Sequence, residues 1–242
     1  MEMIIAYLTR DLDVLKACSL TCRSWYIAAV PHLHHTLTLR SGECGENRRG
    51  LEPLSLLHGF GLAPLVKEIR VRGELPGWGA WFVPRAFSPH DLHHFSAFAN
   101  VHTLKLESSE IHRFIPGVER YFGHLSSTLR SIRLLSPCCA PRQISHFLSL
   151  FSNLDDVSIG FPRRPLGTAI PDIDLVPFSA PRLQGRLELY EFNWVEPWTD
   201  LITSCGGLRF RCMDLYRVKG CAPVLLRVCA GTLEMLRCSL RK

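Results

Sequence analysis

A six-residue unit of the form apolar-x-x-apolar-x-apolar recurs along this 242-residue chain and constrains its fold more than any other feature. It occurs as Val66-x-x-Ile69-x-Val71, Val101-x-x-Leu104-x-Leu106, Leu129-x-x-Ile132-x-Leu134, Leu154-x-x-Val157-x-Ile159, Phe210-x-x-Met213-x-Leu215 and Leu233-x-x-Leu236-x-Cys238. Two variants complete the series: His34-x-x-Leu37-x-Leu39, and Leu183 followed by Leu187-x-Leu189 with one inserted residue. The middle apolar residues of successive units lie 23 to 35 positions apart. A unit of that size cannot bury its apolar face alone and must stack on its neighbours.

Within each unit the last two apolar residues are separated by one residue, often polar, as in Leu104-Lys105-Leu106, Ile132-Arg133-Leu134 and Leu187-Glu188-Leu189. That alternation predicts a short strand with one buried face. Between the strands, apolar residues fall at helical spacing behind start signals at Ser88-Pro89, Pro116, Pro141, Pro197 and Pro223. Proline suits a first helical turn because the N–H it lacks would have found no partner there. The expected fold is α/β: a leucine-rich-repeat-like solenoid with parallel strands over residues 61–242, with Leu104, Leu106, Ile132, Leu134, Val157 and Ile159 in its core.

Stretches such as Leu125 to Leu134 and Phe151 to Ile159 look like the irregular leucine-rich repeats of fungal F-box-type proteins. The repeat of that family carries Asn or Cys just after the strand. Here the corresponding positions hold Glu74, Ser109, Pro137, Pro162, Val218 and Arg241, so no continuous asparagine ladder is expected.

Residues 1–40 have a different texture. Met3, Ile4, Tyr7 and Leu8 share one helical face; Leu12, Leu15, Ser19 and Cys22 recur at three- and four-residue steps, and Trp25 follows. Asp11 is expected to cap the second of three helices and Pro31 to end the third. Three short helices bury little by themselves, so an apolar side should remain for the solenoid or for another protein. The run from Arg10 to Trp25 closely resembles the second and third helices of an F-box, including its Cys-Arg-x-Trp element at Cys22-Arg23-Ser24-Trp25. The resemblance implies a small all-α F-box-like segment over 1–40, joined by a connecting segment, 41–60, to the solenoid. It also implies that Met3, Ile4, Leu8, Leu12, Val14, Leu15, Leu20 and Trp25 contact a Skp-type adaptor of a cullin-RING ubiquitin ligase. The Leu-Pro that opens the family motif has no counterpart at Met1-Glu2.

Composition narrows the classes further. With 47% hydrophobic and 21% charged residues the chain is not a disordered one. Its longest uncharged stretch, Ser24 to Leu39, holds Pro31 and three histidines, too short and polar to span a hydrocarbon core about 30 Å thick. The start of the chain lacks the basic residues of a secretory signal. A cytoplasmic or nuclear location without a membrane partner is therefore expected, with the ten cysteines as reduced thiols. The net charge of +6 is concentrated: Arg209 to Lys242 carries eight basic residues against Asp214 and Glu234, while Pro165 to Leu208 carries six acids against Arg182 and Arg186.

Signatures of catalysis are scarce. There is no Gly-x-Ser-x-Gly elbow, His-Glu-x-x-His pair or P-loop. The histidine groups His32, His34, His35 and His90, His93, His94 lack the companion ligands of a metal cage. The chain is read as a non-enzyme with no cofactor and no metal. Exposed aromatics on a loop bury large area at low entropy cost, so Trp78, Trp81 and Phe82, together with Arg209 and Arg211, are the candidate contacts for an unknown protein substrate. The expected function is a protein-interaction adaptor, the substrate receptor of an SCF-type ubiquitin ligase. The alternative is a non-ubiquitin scaffold, or a nucleic-acid-associated repeat protein using its basic C-terminal tail; of the two kinds of partner for the tail, acidic protein is preferred to nucleic acid.

Overall fold

The structure, a computed structural model, describes residues 2–8, 11–40, 56–57, 59–72, 96–107, 122–135, 141–160, 183–190, 208–218 and 222–239. Three helices come first: α1 (Glu2–Leu8), α2 (Leu12–Ser19) and α3 (Arg23–Leu33). Strands β1 (Thr36–Arg40), β2 (Glu68–Arg72), β3 (Thr103–Glu107) and β4 (Ser131–Leu135) follow. Helix α4 (Pro141–Ser149), strands β5 (Asp156–Gly160), β6 (Leu183–Tyr190) and β7 (Leu208–Tyr216), helix α5 (Ala222–Cys229) and strand β8 (Met235–Ser239) complete the described chain. The strands form one parallel, open sheet in sequential order from β1 to β8.

Every strand arises where the sequence unit predicts one, and the register explains why the unit repeats. Leu37, Ile69, Leu104, Ile132, Val157, Leu187, Met213 and Leu236 are successive partners across the sheet. Leu39, Val71, Leu106, Leu134, Ile159, Leu189, Leu215 and Cys238 form a second such row. Apart from Leu39, whose side chain lies outside the described residues, equivalent apolar side chains thus lie side by side on one face, and the six expected core residues are all no more than 2% exposed. Helix α4 begins at Pro141 as expected, and its Ile144, Phe147 and Leu148 enter the same core. Helix α5 begins at Ala222, one residue before Pro223, and contributes Leu225 and Cys229. The helix starts expected at Ser88-Pro89, Pro116 and Pro197 lie outside the described residues.

The approach to each strand is tied to the one before it. The carbonyl of His35 accepts both Lys67 N–H and Glu68 N–H; that of Lys67 accepts those of His102 and Thr103; that of His102 those of Arg130 and Ser131; and that of Arg130 those of Asp155 and Asp156, all at 2.8–3.1 Å. Side chains add to these ties: Asn100 Nδ2 donates to the Pro64 carbonyl at 2.9 Å, Asn153 Nδ2 to that of Ser127 at 3.0 Å and Thr232 Oγ1 to that of Phe210 at 3.2 Å. These amides and hydroxyls stand four residues before the first core residue of their strands, ahead of the strand and not behind it.

Three local expectations need correction. Pro31 does not end α3, which continues to Leu33. The ring forfeits only the bond that an N–H at 31 would have made, and His34 N–H still reaches the Val30 carbonyl at 3.1 Å. Strand β6 runs eight residues, and the insertion before Leu187 is not what bulges: Gly185 faces Phe210 but Arg186 faces Cys212, leaving Arg211 of β7 as the extra residue. At Gly185, with φ +85°, a Cβ would lie 1.7 Å from the Asp155 carbonyl oxygen. Finally, Leu236 is 42% exposed and Cys238 is exposed as well, because β8 is the last strand of the sheet and no described neighbour covers them.

Ile132→Ala should therefore lower unfolding free energy by about 2–5 kcal/mol, while Leu236→Ala, in the same row, should cost well under half of that in denaturant melts. Gly185→Ala should destabilise by more than about 1 kcal/mol, since the backbone it meets cannot yield as a side chain would. A Gly185→Ala protein as stable as the parent would show that the close approach of the Asp155 carbonyl does not require glycine.

Candidate docking surfaces

Asp11 caps α2 as expected, its Oδ1 accepting from Asp13 N–H and Val14 N–H at 3.1 Å. The three helices close over Ile5, Leu15 and Ala29, flanked by Leu8, Cys18, Trp25, Ala28 and Leu33, a cluster separate from the core of the sheet. The residues assigned to adaptor contact consequently divide. Leu15 is wholly buried and holds the helices together, so it offers no surface to a partner. Leu8 and Trp25 are partly buried against the same cluster. Ile4, Leu12, Val14 and Leu20 face outward, Leu20 at 87% exposure; the side chain of Met3 lies outside the described residues. Tyr7, Tyr26 and Ile27 join this exposed set. Sequence reasoning overlooked Tyr26 and Ile27, although a signal was there: apolar residues surround α3 on more faces than so small a unit can bury.

The second surface is the polar face of the sheet. Parallel register brings Arg70, Lys105 and Arg133 into one row on β2, β3 and β4, and the same row continues through Ser158 to Glu188, Asp214 and Arg237. Glu68 answers the cations of β2 and β3, at 2.6 Å from Lys105 Nζ and 2.8 Å from Arg70 Nη2. Burial pushes the Glu68 carboxyl upward, but Lys105 and Arg70 outweigh it and hold the group below its ordinary pKa. Arg133 reaches over the small Ser158 to Glu188 at 3.4 Å, and the Ser158 hydroxyl beneath is buried without a hydrogen-bond partner. Arg186 Nε donates to Asp214 at 2.7 Å and Arg186 Nη2 lies 2.9 Å from Glu188, whose other oxygen accepts from the Tyr190 hydroxyl at 2.9 Å. Burial and that acidic neighbour push the phenol up to about 12. Tyr190 stacks on Tyr216 with centroids 4.8 Å apart. Asp214 is 4% exposed while Arg237, 3.9 Å away, is 62% exposed. The acids of β6 and β7 therefore lie low, and the guanidinium groups stand above them.

The third surface is a cleft of about 670 Å³ where β6, β7 and β8 begin, and the two arginines singled out from sequence line it. Arg211 approaches Glu234 at 3.8 Å, and Asp155 on the opposite rim is 3.9 Å from Arg130. Trp78, Trp81 and Phe82, the other substrate-contact candidates, lie outside the described residues, as do Lys219, Arg241 and Lys242 of the basic tail. Among the described residues no three or more His, Cys, Asp or Glu side chains are grouped to hold a metal, and no helix is long and apolar enough to cross a membrane. No protein-family model matches this chain, and no curated protein is significantly similar to it.

The Glu68 arrangement has a pH signature. A carboxyl whose folded pKa is depressed contributes stability above its ordinary value, 4.5 here, and loses it as pH falls through the folded value. Glu68→Gln should lower stability at neutral pH by about 1–3 kcal/mol, the worth of hydrogen bonds to charged groups. The gap between the two proteins should close as the pH drops below the carboxylate range. A gap that persists unchanged in acid would assign the loss to packing.

Proposed function

We propose that this chain is a protein-interaction adaptor, the substrate receptor of an SCF-type ubiquitin ligase. In this reading residues 1–40 are an F-box-like segment that docks a Skp-type adaptor, and residues 61–242 are an irregular leucine-rich-repeat solenoid that holds the substrate. The observation that carries it is the surplus of apolar surface on the helices: Ile4, Tyr7, Leu12, Val14, Leu20, Tyr26 and Ile27 are exposed on a unit whose own buried cluster needs only Ile5, Leu15 and Ala29. So many exposed apolar residues on so small a unit favour a partner's surface. The match from Arg10 to Trp25 with the F-box pattern supplies the partner's identity. Sequential parallel strands, each built from the same six-residue unit, support the solenoid reading of the remainder. Such a receptor performs no bond chemistry; it raises the local concentration of its target beside the transfer machinery.

Co-purification of the full chain with a Skp-type adaptor tests this. Leu12→Asp and Leu20→Asp, both at exposed positions, should abolish capture while leaving the thermal midpoint close to that of the parent, because neither side chain contributes to a buried cluster. Leu15→Asp is unsuitable, since it would place a charge in the interior. Capture that survives both exposed substitutions would remove the helices from the interface.

A further inference from the structure

We propose that the cleft at the start of β6, β7 and β8 receives an acidic peptide segment of a protein partner, anchored by the guanidinium of Arg209 with Arg211 beside it. The inference deepens the receptor reading, on which it rests, by giving the chemistry of what is held.

Among the described residues, most arginines around this part of the sheet are paired. Arg130 has Asp155, Arg211 has Glu234, Arg186 has Asp214 and Glu188, and Arg237 has Asp214. Arg209 is exposed and makes no hydrogen bond or ion pair with any described residue, yet it lines this cleft. Its five N–H donors suit bidentate capture of a carboxylate.

The bulge sets the pair. Leu208 and Phe210 are buried, as are Met213 and Leu215 three and five residues beyond Phe210. A regular strand could not bury Phe210 and Met213 on one face, because side chains alternate with period two. The extra residue, Arg211, absorbs the difference, so Arg209 and Arg211 both remain outside the core and line the cleft. Gly185, whose missing Cβ lets the Asp155 carbonyl approach, lies in the cleft wall, and the exposed amide of Gln184 stands beside it to bond a peptide backbone.

Two features favour a peptide over a nucleic acid. Asp155 and Glu234 sit on the rim, where a continuous row of phosphates would meet them, whereas a peptide can space its carboxylates to miss them. None of the described lining residues is aromatic, so nothing there stacks a base. The charge of the surrounding chain steers the same kind of partner: Arg209, Arg211, Arg217 and Arg237 accompany only Glu234 and the buried Asp214 across residues 208–218 and 230–239. A cleft of about 670 Å³ is within the range of ligand sites.

Fluorescence anisotropy with a labelled peptide of alternating Glu and Gly tests the proposal on the full chain, with the Gln-Gly peptide and a single-stranded oligonucleotide as comparisons. The Glu peptide should bind in a salt-sensitive manner and the Gln peptide at least about tenfold more weakly. Arg209→Glu should weaken Glu-peptide binding by about tenfold or more. Arg227→Glu, on exposed α5 outside the cleft, should leave it within about twofold, a control for the general field of the basic region. Equal binding of the two peptides, indifference to Arg209→Glu, or preference for the oligonucleotide would overturn the proposal. The same preparations are passed over a Skp-type adaptor: peptide binding lost with adaptor capture intact refutes the cleft alone, and peptide binding retained without adaptor capture upholds the cleft and refutes the ligase reading.

Discussion

In-register parallel pairing is the constraint on which the rest of this structure depends. Because side chains alternate along a strand, a slip of one residue would turn every apolar side chain of that strand outward. Here each strand sets its first core residue opposite the first core residue of its neighbours, and shared carbonyls at His35, Lys67, His102 and Arg130 align each strand start with the last. Burial is consequently a property of the neighbours as much as of the residue. Ile132 and Leu236 occupy the same row, yet the first is fully buried between β3 and β5 and the second is half-open at the edge.

The same register imposes a cost on the opposite face. It places Arg70, Lys105 and Arg133 in adjacent strands, and Glu188 beside Asp214. Like charges on strands about 4.8 Å apart repel. The structure relieves both groups: Glu68 and Glu107 from neighbouring rows attend the cations, while Arg186 from a neighbouring row and Arg133 and Arg237 from the same row attend the acids. Small Ser158 makes the contact that crosses over β5 possible, since a larger side chain there would stand between Arg133 and Glu188. The result is a face whose acids at β6 and β7 are covered and whose arginines remain available to a partner, the arrangement that distinguishes this half of the sheet from the β2–β3 half, where Lys105 and Arg70 are themselves largely covered.

The helical unit obeys a different economy. Its three helices are short, and enclosing Ile5, Leu15 and Ala29 uses only one side of each. Apolar residues on the remaining sides have no interior to enter, because the core of the sheet is a separate cluster. Their exposure follows from that geometry.

The amino-acid sequence by itself determined where the eight strands lie, which of their residues face inward, where α2 is capped and where α4 begins, because these follow from local periodicity and from the backbone chemistry of single residues such as Asp11 and Pro141. It also marked Arg209 and Arg211. Only the tertiary structure decided that Leu15 is interior while Leu12 and Leu20 are not, since a helical face reads the same whether it meets a neighbour or solvent. It alone showed that a bulge at Arg211 of β7 stands opposite Gly185 and Arg186, that the polar ties between strands come ahead of the strands, and that Arg209 has no partner among the described residues and lines a cleft. Burial, pairing and register are relations between residues brought together from distant parts of the chain. A local pattern can state what each residue prefers, but the partner that satisfies the preference exists only once the strands have stacked.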